Sequence, residues 1–366
     1  MPKKKEYHRI LFNLHFSSKY GIIASNKRGG IVVKEVNLSS ILKDKYVINK
    51  RNFNYRLLHK KFSRRYPSVL APQLLDSVNN HFVNRFVDTI KAFGKEKYLE
   101  NYYSNLSNSK IINNRFLQKI LLGKEVFGDF FITKRNSYLI LGDEKELEKD
   151  NALCTPYHEQ FHLLTTKVPD EHTLKIGFQY NNFGYGLNEG YTEYITKKYF
   201  SAYYAKDFEA YQHFYWFITM LESIVEKDKL EEYYLSADME GLMNELQRYL
   251  PLDNVINFIE DIDTLFDCEE KLFNYQKQFL FFKNPLNPDK LDNLHNMNKA
   301  LRDKIYNTFL LLNKKRDVKQ SIKTNFKEKN DKIKARFDKE EELYLDYFKE
   351  EATVKERNGK VILWHK

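Results

Sequence analysis

Cysteine is almost absent from this chain: Cys154 and Cys268 are the only two in 366 residues. Two thiols cannot staple a secreted scaffold of this size, so the composition points to a reducing, cytoplasmic setting. Glycine (13) and proline (8) are also scarce, which argues against a turn-rich all-β protein and favours long helices. Tryptophan occurs twice, and the aromatic content rests on 28 Phe and 26 Tyr instead. No apolar run approaches the ~20 residues that a bilayer-spanning helix needs, so no membrane span is expected. The opening MPKKKEYHRILFNLHFSS begins like a signal peptide, but Asn13 and His15 interrupt its apolar part and no small-residue cleavage site follows.

What the chain does have is charge. Lysine and arginine number 60 against 50 acids, a net charge of +10. Such a surplus permits contact with nucleic acid without requiring it. The densest basic stretch, Lys43 to Arg65, holds nine basic residues and one acid, interleaved with Tyr46, Phe53, Tyr55 and Phe62. It is the one feature that argues for a nucleic-acid or acidic-protein partner. A solvated helix face with apolar anchors explains it more simply, and that reading is favoured.

Hydrophobic spacing divides the chain into an α+β, predominantly helical arrangement. Residues 1–122 form a mixed region: β-like patches up to about residue 40, then a stripe of Leu74, Val78, Phe82, Phe86 and Ile90 at helical steps. Residues 123–204 form a second segment. It opens with VFGDFFITKRNSYLILG (126–142), which reads as two short strands joined near Arg135 to Ser137. Residues 205–313 carry three helical stripes expected to form a bundle core: Phe208 to Leu221, Met239 to Leu250, and Val255 to Phe266. Residues 314–366 are highly charged, yet Val318, Ile322, Phe326, Ile333 and Phe337 keep a helical step. A long exposed helix is expected there, then a closing hairpin at Asn358-Gly359.

The chemistry lies in TPYHEQFHLLTT. His158 and His162 are four residues apart, so on a helix both imidazoles share one face and can reach one metal ion. Neutral imidazoles are good zinc ligands, and Glu159 beside them can take a proton from a metal-activated water. With Thr155 as N-cap, Pro156 would fall at the first helical position. This HExxH match is short enough to arise by chance, and a second feature is needed. GYGLNEGYTEYIT (184–196) supplies it: Glu189 and Glu193 lie one turn apart on a predicted helix, with Asn188 as candidate N-cap.

Together the two motifs resemble the gluzincins, the superfamily of thermolysin-like and aminopeptidase-like zinc peptidases. The likeness covers about residues 136–200. It implies a zincin-like core in which His158, His162 and Glu189 hold Zn²⁺, Glu159 is the general base, and Glu193 supports a ligating histidine from behind. Thr192 would help order the same helix. The resemblance further implies an oxyanion-stabilising Tyr or His on a later helix, with Tyr211, His213, Tyr215 and Tyr234 as candidates. It also implies an edge strand that binds substrate backbone, for which Ser137 to Leu141 is the natural candidate unless it is a core strand.

Two departures stand out: the 27-position step from His162 to Glu189 makes a long connection, and Glu193 stands where thermolysin-like enzymes have Asp. The amine-binding Gly-x-Met-x-Asn strand of the exopeptidases is missing, which favours a narrow-specificity endopeptidase acting on a peptide or protein substrate. The competing reading is a catalytically silent zincin-like scaffold acting as a regulatory or binding module, in which the basic segment contacts nucleic acid or an acidic protein. His172, between the motifs, reads as a solvated loop residue, and Cys154 as a small buried hydrophobe.

Overall fold

A computed structural model describes residues 81–107, 109–112, 129–132, 137–141, 147–148, 152–170, 173–203, 211–282 and 287–358. The basic stretch 43–65, the patches before residue 40, Leu74, Val78, His172, Phe208 and Gly359 lie outside them.

Two helices open the described chain, α1 (His81–Ala92) and α2 (Leu99–Ser107). The stripe read from the sequence is the buried face of α1: Phe82, Val83, Phe86, Val87 and Ile90 all face inward. Three strands follow, β1 (Ser109–Ile112), β2 (Asp129–Ile132) and β3 (Ser137–Ile140). Their order in the sheet is β1-β3-β2, with β1 parallel and β2 antiparallel to β3. The two strands expected within 126–142 are therefore present as a pair. The sheet gives β3 a partner on both sides, so Ser137 to Ile140 offers no free edge to a substrate. The apolar run Tyr138-Leu139-Ile140-Leu141, with Leu139 and Leu141 fully buried, suits a central strand.

Helix α3 (Thr155–Thr165) carries the two histidines. The sequence reading placed Thr155 as its cap; instead Cys154 takes that place and Pro156 is the second helical residue. The first intrahelical bond, from the His158 N–H to the Cys154 carbonyl, starts the helix one residue earlier. Proline costs little there, because N–H groups in the first turn have no intrahelical acceptor. At the other end, α2 satisfies the orphan carbonyls. Asn101 donates to Leu164 and Thr166, and Asn105 donates to Leu163 and Thr166, at 2.7–2.9 Å.

The long connection to Glu189 folds into a second sheet, antiparallel, of β4 (Lys167–Asp170), β5 (Thr173–Ile176) and β6 (Gln179–Tyr180). Helix α4 (Tyr185–Tyr199) then brings Glu189 and Glu193 back beside α3. Asn188, the expected cap, sits inside this helix and is fully buried; Gly184 occupies the capping position.

The remaining helices are α5 (Gln212–Ile224), α6 (Lys227–Leu235), α7 (Met239–Leu246), α8 (Leu252–Phe282), α9 (Pro288–Lys315) and α10 (Gln320–Asn358). Their stripes bury as expected: Ile218 and Leu221, Met239 through Leu250, and Val255, Ile259 and Ile262. The charged C-terminal segment is indeed one long helix. Its inward line is Phe326, Asn330, Phe337 and Phe348, whereas Ile322 is exposed and Val318 precedes the helix. Asn330 accepts the indole N–H of Trp216 at 2.8 Å, which registers α10 against α5. No hairpin strand leads into Asn358; the helix runs through Val354 to Asn358, because the charged, β-poor stretch before it continues the helical pattern. One apolar cluster runs from Phe82 on α1 to Phe337 on α10 and passes directly behind the two motif helices. No helix among the described residues is long and apolar enough to cross a membrane.

Candidate metal centre

Helices α3 and α4 lie side by side, and their facing turns bring His158, His162 and Glu189 together. One donor atom from each lies within 4.8 Å of the others. His158 Nε2 is 3.2 Å from one Glu189 oxygen, and His162 Nε2 is 3.4 Å from the other. Donors about 2.1 Å from a tetrahedral ion stand about 3.4 Å apart, so the distance from each imidazole to Glu189 is one that a shared metal ion allows.

The opposite face of each imidazole is also engaged. His158 Nδ1 is 3.2 Å from Glu193, one turn beyond Glu189. His162 Nδ1 is 3.3 Å from the Asn188 carboxamide, whose oxygen accepts the Phe178 N–H at 3.1 Å. Each Nε2 is thereby turned toward Glu189. Sequence reasoning missed this use of Asn188, although its position directly before Glu189 was visible.

Electrostatics match this crowding of opposite charges. Burial opposes protonation of His158, but the hydrogen bonds it donates to Glu189 and Glu193, with the charge of Glu159, push its pKa up to about 10. Burial would raise the Glu189 carboxyl; the two histidines instead hold it far below the usual carboxylate range. Glu159 is half-buried, and its charge is felt at His158, Tyr211 and Tyr234.

The four oxyanion candidates separate clearly. Tyr211, in a left-handed conformation just before α5, lays its ring over His158 with centroids 6.1 Å apart. The residue as a whole is 37% exposed, yet desolvation of its phenol, then the charges of Glu189, Glu159, Glu193 and Glu270, push its pKa further up; like any phenol it is an O–H donor at neutral pH. Tyr234 stands behind the centre, with its hydroxyl 2.7 Å from Thr192 Oγ1 and its ring packed on Phe178 and Tyr191. Thr192 in turn donates to the Asn188 carbonyl one turn back at 2.7 Å. His213 joins helices of the bundle, 2.8 Å from Glu269 and 3.3 Å from Glu341. Tyr215 packs against Tyr194, with Lys197 over its ring. Cys154 is buried, as expected of a small hydrophobe.

No protein-family model, curated protein sequence or solved structure matches the chain.

Proposed function

We propose that this chain is a zinc-dependent peptidase, with His158, His162 and Glu189 holding the metal. The observation that carries the reading is the convergence of two imidazoles and one carboxylate at ligand spacing, each imidazole fixed from behind by Glu193 or Asn188. A structural zinc is normally closed by four protein ligands, whereas the donor group found among the described residues has three members. A bound zinc would supply Lewis acidity and an acidified water.

The chain's own residues have distinct tasks. Glu159, beside His158 and half-buried, takes a proton from the incoming water and passes it to the leaving amine. The Tyr211 phenol, whose ring lies over His158, donates a hydrogen bond to the charge that develops on the substrate carbonyl oxygen. Glu193 and Asn188 hold both imidazoles in the orientation the metal requires. A peptide or protein is the substrate class proposed, cleaved internally.

Glu159→Gln tests the reading. Zinc uptake should match wild type, while cleavage of a fluorogenic peptide library falls by about 10²–10⁴-fold. Wild-type cleavage by this variant would sink the assignment of Glu159. A wild-type protein that binds zinc and cleaves no peptide would favour the scaffold reading.

A further inference from the structure

We infer that Asp263, on the bundle helix α8, is a positioning residue for the metal centre: it fixes the height of the helix that carries Glu189. This inference rests on the metal-site reading above. Helix α4 begins at Tyr185 with glycine at its cap, and Gly184 has no side chain with which to cap. The missing acceptor comes from 79 residues further along the chain. One Asp263 oxygen accepts the Gly184 N–H at 2.7 Å and the other accepts the Gly186 N–H at 2.9 Å. Taking two N–H groups at a helix N-terminus, the Asp263 carboxyl meets two of the orphan donors there; burial pushes its pKa up to about 8, so the contact does not depend on a full negative charge at neutral pH.

Two neighbours on α8 make the same junction stiff. A side chain at Gly186 would press on the Ile262 carbonyl at 3.0 Å and on Phe266 Cβ at 3.1 Å, so the two helix backbones approach closely. One turn on, Asp267 accepts the Tyr185 hydroxyl at 2.7 Å. Ile262, Asp263, Phe266 and Asp267 thus meet the first turn of α4 from successive turns of one helix face. Glu189 lies only three residues beyond Gly186, too near for a slip of that turn to be absorbed before the ligand.

The face also reaches the other half of the site. Phe266 stacks on Tyr211 with centroids 5.5 Å apart. Helix α8 therefore braces both the start of the helix that carries Glu189 and the ring of Tyr211. Metal ligands tolerate errors of only about 0.2 Å, so a ligand helix freed at its start should bind metal worse even when the fold survives.

The test compares zinc affinity by chelator competition, the absorption spectrum of the cobalt-substituted protein, and thermal stability. Asp263→Ala should weaken zinc binding by about tenfold or more and alter the cobalt spectrum. Asp263→Asn keeps the shape and one acceptor; it should fall between the two, and it carries the test if the alanine variant does not fold. Phe326→Leu, a buried core change on α10, serves as the control for a loss of stability alone and should leave zinc affinity within about twofold. Wild-type affinity and spectrum in both Asp263 variants would overturn the inference, as would an equal loss in Phe326→Leu. A wild-type protein that takes up neither zinc nor cobalt would overturn the metal reading itself, and this inference with it.

Discussion

His158 Nδ1 lies 3.2 Å from the Glu193 carboxylate, while its other ring nitrogen faces Glu189 at the same distance. A carboxylate in that place holds the imidazole in one orientation and makes the metal-facing nitrogen more basic. Replacing Glu193 by alanine should lower zinc affinity by about 10–100-fold without removing any ligand. Glu193→Gln, which keeps a hydrogen-bonding group but no charge, should lie between. Chelator competition measures both, and an unchanged affinity in the alanine variant would show that the contact is idle.

The same neighbours give metal uptake a defined pH dependence. With its pKa raised to about 10, His158 holds a proton in the metal-free protein at neutral pH. That proton stabilises the metal-free fold fully below the ordinary histidine value of about 6.5, and the contribution fades as pH climbs toward 10. Zinc must displace it, so apparent affinity should rise about tenfold per pH unit between pH 7 and 9. Calorimetry in buffers of different ionisation enthalpy should count about one proton released per zinc. Release of none at pH 7 would mean that His158 is already neutral.

The two motif helices were readable because their chemistry is local: spacing of four on a helix puts side chains on one face wherever the helix lies. Spacing alone therefore pairs His158 with His162 and Glu189 with Glu193, and the fold brings the two pairs together. What sequence could not supply came from partners far along the chain. Asn101 and Asn105 cap the end of the metal helix, and Asp263 caps the start of the glutamate helix, with no motif to mark any of them. Asn188 shows the opposite failure. Its residue type suits an N-cap, but Asp263 satisfies the helix start and leaves the carboxamide to serve His162. Tyr211 could not be told from 25 other tyrosines, since only tertiary packing sets it over His158. Asn358-Gly359 was read as a hairpin turn, yet the stretch before it is too charged and too poor in β-formers to make a strand.

A buried ion cluster away from the centre should govern acid stability. Glu231 is almost fully enclosed, bonded to Lys198, to Lys95 at 2.8 Å and to the Tyr199 hydroxyl at 2.7 Å. Burial alone would raise its carboxyl, but these three partners overrule it and lower the pKa. Its contribution is therefore present above the ordinary carboxylate value of about 4.3 and is lost as pH falls through the depressed one. Both lysines are partly exposed and can turn to water, so Glu231→Gln should cost only about 1–3 kcal/mol at pH 7. Urea melts of the pair at pH 7 and near pH 3 should show the gap closing in acid. A gap that stays constant would mean that the charge of Glu231 carries no net stability.

Gly177 should be irreplaceable for a reason that Gly94 does not share. Both hold positive φ, +51° and +66°, so alanine at either is strained by about 1 kcal/mol. Around Gly94 there is open space. At Gly177, however, an added methyl would overlap the Asn188 side-chain oxygen and the Tyr234 ring. Gly177→Ala should then cost about 2–4 kcal/mol, the excess over Gly94→Ala being overpacking. The displaced Asn188 is the group behind His162, so zinc affinity should fall at Gly177 and stay unchanged at Gly94. Equal stability losses in the two variants would remove the clash from the account. A Gly177→Ala protein that is less stable but binds zinc normally would show that His162 keeps its orientation without Asn188.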